Sequence, residues 1–332
     1  MILKNLRSLA MRKRLSRLIK LYLVIYLVVS IVIVSCNQLI PQDIVNPTEP
    51  PLTISECRVV QHKLGEVCIP TQPQRVVALD PRYILDHLLS LEINPIGYAA
   101  YPEGEKIYLV GIPPEEVQDI EYVGSASQPS LEKIAVLKPD LILTINEQTY
   151  RQLLAIAPSV LIDYDEIKNS FKKNLRIIAR LFDREEKAEE VISAYESRIK
   201  QIRDSIGEKL DKIEISVVVQ HHGEFWAMSA ESGISQVLAD IGIEHTVPSS
   251  SVGPFSIEKL SKYDADIMFF LNADNRPVSY FFQHPIISSL EAVKNNRAYV
   301  VDPDIWWAYG PIGINRLLNE LSQHLSQSLP SL

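Results

Sequence analysis

A scattered set of aromatic, basic and amide side chains could grip a bulky anionic ligand. In the first half of the chain these are Arg82, Tyr83, Tyr98, Tyr101 and Asn146; in the second they are His222, Trp226, Arg276, Trp306, Trp307 and Tyr309. Aromatic walls carrying a few polar groups suit a large ligand. Arginine forks suit carboxylate or catecholate oxygens. Every Trp of the chain belongs to this set, two of them in Asp302-Pro303-Asp304-Ile305-Trp306-Trp307-Ala308-Tyr309-Gly310.

Other chemistries find less support. No Gly-x-Ser-x-Gly elbow, Walker A loop, His-Glu-x-x-His or Gly-x-Gly-x-x-Gly phrase occurs, so nothing points to an enzyme. The seven histidines are spread along the chain, whereas a bare metal ion wants three or four donors converging from separated segments. His221 and His222 are adjacent, and neighbours on a strand point to opposite faces. Neither a resident metal nor a cofactor is therefore expected. Residues 1–35 hold seven basic side chains and no acid; without them the remainder has 26 basic and 41 acidic groups, a net charge of -15. Such a body is a poor partner for nucleic acid, which is held by Lys and Arg on phosphates.

The elements that must position these residues alternate between strand and helix. Short apolar runs at 75–79, 95–98, 122–124, 141–144 and 160–162 read as buried strands, with helices starting at Pro81, Leu131 and Thr149 between them. From Phe171 almost to Leu210 the chain is charged and helical. Asp183 is placed to cap a helix over 184–206, whose apolar stripe runs through Ala188, Val191, Ile192, Tyr195, Ile199, Ile202 and Ile206. Strands resume at 213–219, 225–228, 267–271 and 299–301, with helices over 234–241 and 312–325. The fold class is α/β: two doubly wound Rossmann-like lobes joined by a single long helix. The boundaries are 55–168 for the first lobe, 169–210 for the linking helices and 211–332 for the second lobe. Open α/β sheets bind at the carboxyl ends of their strands, and the ligand-gripping set falls just after predicted strands in both lobes.

The start of the chain is a separate matter. A basic stretch precedes an apolar run from Leu21 to Val34 broken only by Ser30, shorter than the about 20 residues a spanning helix needs. It ends at Ile33-Val34-Ser35-Cys36, which resembles a bacterial lipoprotein signal. That resemblance implies a signal peptide over 1–35, cleavage before Cys36, lipidation of its thiol and amino group, and a proline-rich tether over 36–54. An uncleaved signal anchor is the alternative; both put the body outside the cytoplasm. With Cys36 lipidated, Cys57 and Cys68 remain as a pair in an oxidising compartment. A small hairpin turning at Lys63-Leu64-Gly65 would join them, and so short a disulfide loop contributes roughly 2–3 kcal/mol.

The layout of lobe, long helix and lobe resembles the binding proteins of importers for ferric siderophores, haem and cobalamin. The phrases that carry it are Arg75-Val76-Val77-Ala78-Leu79, Ser130-Leu131-Glu132-Lys133-Ile134 followed by Leu137-Lys138-Pro139-Asp140-Leu141-Ile142-Leu143, and Phe255-Ser256-Ile257-Glu258-Lys259-Leu260 followed by Asp264-Ala265-Asp266-Ile267-Met268. The family implies a monomeric, membrane-anchored, extracytoplasmic protein that captures an iron(III)-siderophore or related chelate between its lobes and delivers it to an ABC permease. Haem, cobalamin or a bare metal ion are the alternative ligands. In the family one glutamate on each lobe meets permease arginines; Glu132 and Glu258 match those positions.

Overall fold

A computed structural model of the chain describes residues 57–245 and 252–328. The expected signal peptide, the tether and Cys36 lie outside the described residues. Among those described, no helix is long and apolar enough to cross a membrane.

The described chain opens with a two-stranded antiparallel hairpin, β1 (Cys57–His62) and β2 (Gly65–Pro70), in which Cys57 and Cys68 are disulfide-bonded with Cα atoms 5.6 Å apart. The strands of the first lobe are β3 (Val76–Ala78), β4 (Gly97–Glu103), β5 (Lys106–Tyr108), β6 (Glu121–Ser125), β7 (Leu141–Thr144) and β8 (Ser159–Leu161). Their order is β5-β4-β3-β7-β8, with β6 also paired to β4. β3 runs parallel to β4 and β7, and β7 parallel to β8. Helices Leu131–Leu137 and Glu147–Leu153 supply the crossovers that parallel strands require. Every residue of β3 and β7 is buried, as expected where helices cover both faces of a sheet.

The second lobe contains β9 (Glu214–His221), β10 (Glu224–Ala227), β11 (Glu244–His245), β12 (Val252–Phe255), β13 (Ile267–Asn272) and β14 (Ala298–Val301). Its order is β12-β10-β9-β13-β14, with β11 also on β9. β13 is parallel to both β9 and β14, and its Ile267-Met268-Phe269-Phe270-Leu271 is fully buried. This lobe is not wholly parallel: β10 folds straight back on β9 as a hairpin and pairs antiparallel with β12.

Between the lobes runs the long helix Glu185–Ile206, 22 residues or roughly 33 Å. Its buried residues are those of the predicted stripe except Val191, which is half-buried. Its start differs from expectation. Asp183 is not the cap: it takes the left-handed conformation (φ 54) in the turn between two helices. Arg184 occupies the cap position without a side-chain bond, while Asp183 pairs with Arg58 at 2.9 Å.

The closing helix, Pro311–Ser328, buries Ile314, Leu317, Leu318, Leu321 and Leu325. It belongs to the second lobe, yet it also packs on the first-lobe helix Asp86–Ser90. The Asp86 carboxylate accepts from the backbone N–H groups of Ile312 (2.8 Å) and Gly313 (2.9 Å), so one lobe caps a helix of the other. Gly111 and Gly313 allow this approach: a Cβ on Gly111, which has φ 92, would stand 2.6 Å from the Gly313 Cα.

Candidate functional site

Between the two lobes lies a wide-open cavity of about 500 Å³. Glu103, Lys106 and Tyr108 of the β4–β5 hairpin form the first-lobe wall, and His222, Asp274, Asn275 and Arg276 form the second. Tyr101 and Tyr108 are directly opposed on β4 and β5, so both rings project from the same face of the ribbon.

Next to Tyr108 on that face lies a polar cluster at the carboxyl end of β3. Asp80 is buried and accepts from the Tyr83 backbone N–H (2.7 Å) and from the Tyr101 hydroxyl. Burial pushes the Asp80 carboxyl up; the Tyr101 and Tyr83 hydrogen bonds and the Arg82 charge oppose it. The Arg82 guanidinium stands 5.4 Å from the Tyr101 ring and 5.8 Å from the Tyr83 ring. Its Nε is buried with no hydrogen-bond partner. Tyr83 closes the floor between the lobes, with ring centroids 4.7 Å from Tyr309 and 5.4 Å from Tyr164.

The second-lobe candidates separate into two groups. His222 and Arg276 face the cavity. Trp226, half-buried on β10, sits 6.0 Å from the His221 ring. Trp307 is half-buried and meets Tyr108 across the lobes at 6.1 Å. Trp306 is not in the cleft. It is fully buried, packs 4.3 Å from Phe269, and donates its indole N–H to Glu320 at 2.7 Å. The short helix Pro303–Trp306 turns it inward, since neighbours on a helix point about 100° apart. Tyr309 is also enclosed, 2% exposed, and its hydroxyl donates to the Ile167 carbonyl.

Two first-lobe candidates are placed away from the cavity wall. Asn146 caps the helix Glu147–Leu153: its Oδ1 accepts from the Gln148 N–H (2.9 Å) and its Nδ2 donates to the Ser127 carbonyl (3.2 Å). Tyr98 is 8% exposed and packs 5.6 Å from Tyr122. Glu132 and Glu258 are both exposed, each in the first turn of a short helix ahead of a buried strand.

The β4–β5 hairpin was missed by sequence reasoning. Its signal is Glu103-Gly104-Glu105 followed by the short alternation Lys106-Ile107-Tyr108, with Gly104 at φ 60 in the turn. Asp274 was missed as well, although it organises the other wall: it accepts from the Gln220 amide (2.7 Å) and from the backbone N–H groups of His222 (2.8 Å) and Gly223 (3.0 Å). The expectation that His221 and His222 diverge is corrected. His222 has left the strand and takes φ 50, which brings its ring 3.8 Å from that of His221.

Known proteins share this architecture. The periplasmic binding protein family matches residues 107–305. The Fe(3+)-citrate-binding protein YfmC of Bacillus subtilis is 31% identical over 264 residues, 76% of this chain and 80% of its own. The probable siderophore-binding lipoprotein YfiY of the same organism is 29% identical over 294 residues, covering 81% and 88%. Among solved structures, SirA of Staphylococcus aureus complexed with staphyloferrin B superposes with a TM-score of 0.68 at 24% identity, over 81% of this chain and 98% of that one. With its two α/β lobes, its long helix and the cavity between them, this chain belongs to the periplasmic binding protein family.

Proposed function

We propose that the protein is the extracytoplasmic, lipid-anchored capture subunit of an ABC importer for an iron(III) chelate. The observation that carries this reading is the cavity between the lobes, with Lys106 over the Tyr108 ring on one wall and Arg276, 3.5 Å from Asp274, on the other. Ferric carboxylate and catecholate chelates are bulky and present anionic oxygens outward. Cations on both walls would meet those oxygens, and Tyr108 and Trp307 would cover the chelate's apolar surface. Arg82 lies beside the Tyr101 and Tyr83 rings on the same face of the first lobe. The relatives that bind siderophores or ferric citrate support the same ligand class.

Glu132 and Glu258, one on each lobe and both exposed, match the family's docking positions, which supports delivery to a permease. Carboxylates at a rim set orientation and on-rate when they meet permease arginines. Lipid on Cys36 would keep the monomer near its permease, since more than one acyl chain makes anchoring stable. The cavity binds and releases; no catalytic step is assigned to it.

Native mass spectrometry of the full chain, purified in detergent from iron-starved cells, tests the reading. A retained ferric chelate at one per chain is expected. Retained haem or a corrinoid instead would overturn the assignment.

A further inference from the structure

A second binding chemistry stands at the mouth of the same cavity. His221 ends β9, and His222 opens the turn into β10. The left-handed φ of His222 costs roughly 1 kcal/mol for a residue with a Cβ. Asp274 holds that turn through the backbone N–H groups of His222 and Gly223, and both imidazoles end on one side. From the other lobe, Glu103 brings its Oε1 to 3.8 Å from His221 Nε2. One donor atom from each of Glu103, His221 and His222 lies within 4.8 Å of the other two.

These separations are too long for hydrogen bonds. They approach the spacing of donors that share an ion: two ligands each about 2.1 Å from one tetrahedral metal stand roughly 3.4 Å apart. Two imidazoles and a carboxylate form a donor set for first-row transition ions rather than for calcium or magnesium, which take oxygen. Asp274 Oδ1 is 3.5 Å from His221 Nδ1, which is buried with no hydrogen-bond partner. That carboxylate stands on the side of the ring where an outer partner of a ligating histidine would stand.

We propose that Glu103, His221 and His222 form a site for a divalent transition-metal ion of the zinc or nickel class, with donors from both lobes, so that the bound ion ties the lobes together across the cavity mouth. Three protein donors leave coordination positions open to water or to an incoming ligand atom. The site needs no chelator, and so it stands apart from the chelate reading of the same cavity.

The test is calorimetric titration of the metal-free full chain in detergent with Zn²⁺ and Ni²⁺, beside Glu103→Gln, His222→Asn and His62→Gln. Asparagine tolerates the left-handed backbone, which keeps the His222 variant folded; matched thermal unfolding checks this. His62 hydrogen-bonds Tyr150 at 2.8 Å and serves as the histidine outside the cluster. One ion per wild-type chain is expected, with affinity weakened at least about tenfold in Glu103→Gln and in His222→Asn and unchanged in His62→Gln. Absence of binding in the wild type, or full affinity in both cluster variants, would overturn the site. Full affinity in Glu103→Gln alone would overturn the link between lobes. Metal binding by a chain that takes no ferric chelate would uphold the site while removing the chelate reading.

Discussion

Trp306 and Trp307 are neighbours with different surroundings, and their variants should behave differently. Trp306 is enclosed by Phe269 and bonded to Glu320, so Trp306→Ala should cost about 3–5 kcal/mol in urea unfolding. Trp307 is half-buried against Tyr108 of the other lobe; Trp307→Ala should unfold near the wild-type midpoint and bind ferric chelate about tenfold more weakly, as read by equilibrium titration. The sequence marked both as ligand-facing because residue type reports chemistry and not direction. A four-residue helix sends one ring into the core, and no periodicity over so few residues could be read. His221 and His222 make the same point in reverse: strand alternation would separate them, but Asp274, distant in sequence, holds the turn that brings their rings together. Arg276 and His222 line the cavity as expected of residues within four positions of the carboxyl end of a strong strand.

At the scale of elements, the cap that Asp86 places on the closing helix predicts a pH dependence. Burial pushes its carboxyl up to about 7, against the Gly313 and Ile312 N–H bonds that favour the charge. A carboxyl whose folded pKa is raised above its ordinary value of 3.8 favours the fold most below about pH 4, and that contribution is lost as pH rises through about 7. Urea midpoints measured at pH 4.5 and 7.5 should therefore differ by less in Asp86→Asn than in the wild type; equal differences would rule the carboxyl out. The hairpin makes a second prediction. β1 and β2 pack on β8, away from the cavity walls. Cys57→Ser with Cys68→Ser should lose roughly 2–3 kcal/mol of stability in denaturant and leave chelate affinity unchanged. The parallel strands and the long helix were legible because burial on two faces, or a stripe repeated over six turns, writes a long pattern. β5 and β11 span three and two residues, too short to write one. The Asp183 cap failed because the turn before it imposed its own backbone conformation.

At the scale of the whole molecule, the surfaces proposed for capture and for docking are separate. Glu132 and Glu258 are exposed and take no part in the cavity wall. Reversing both to Lys should leave chelate affinity within about twofold of wild type, because surface charges so placed act on encounter rather than on the bound state. Uptake by cells carrying the double variant should fall further than in either single one; normal uptake would remove the docking role. The central claim is that the cavity between the lobes holds an iron(III) chelate. Its most direct measurement is fluorescence titration of the purified full chain with ferric citrate and with ferric hydroxamate and catecholate chelates, beside Arg276→Ala. One of these chelates should quench Trp emission saturably at one per chain, and loss of the Arg276 fork should weaken it by about tenfold or more. A folded wild-type chain that none of the chelates quenches, or equal affinity in Arg276→Ala, would contradict capture at this site.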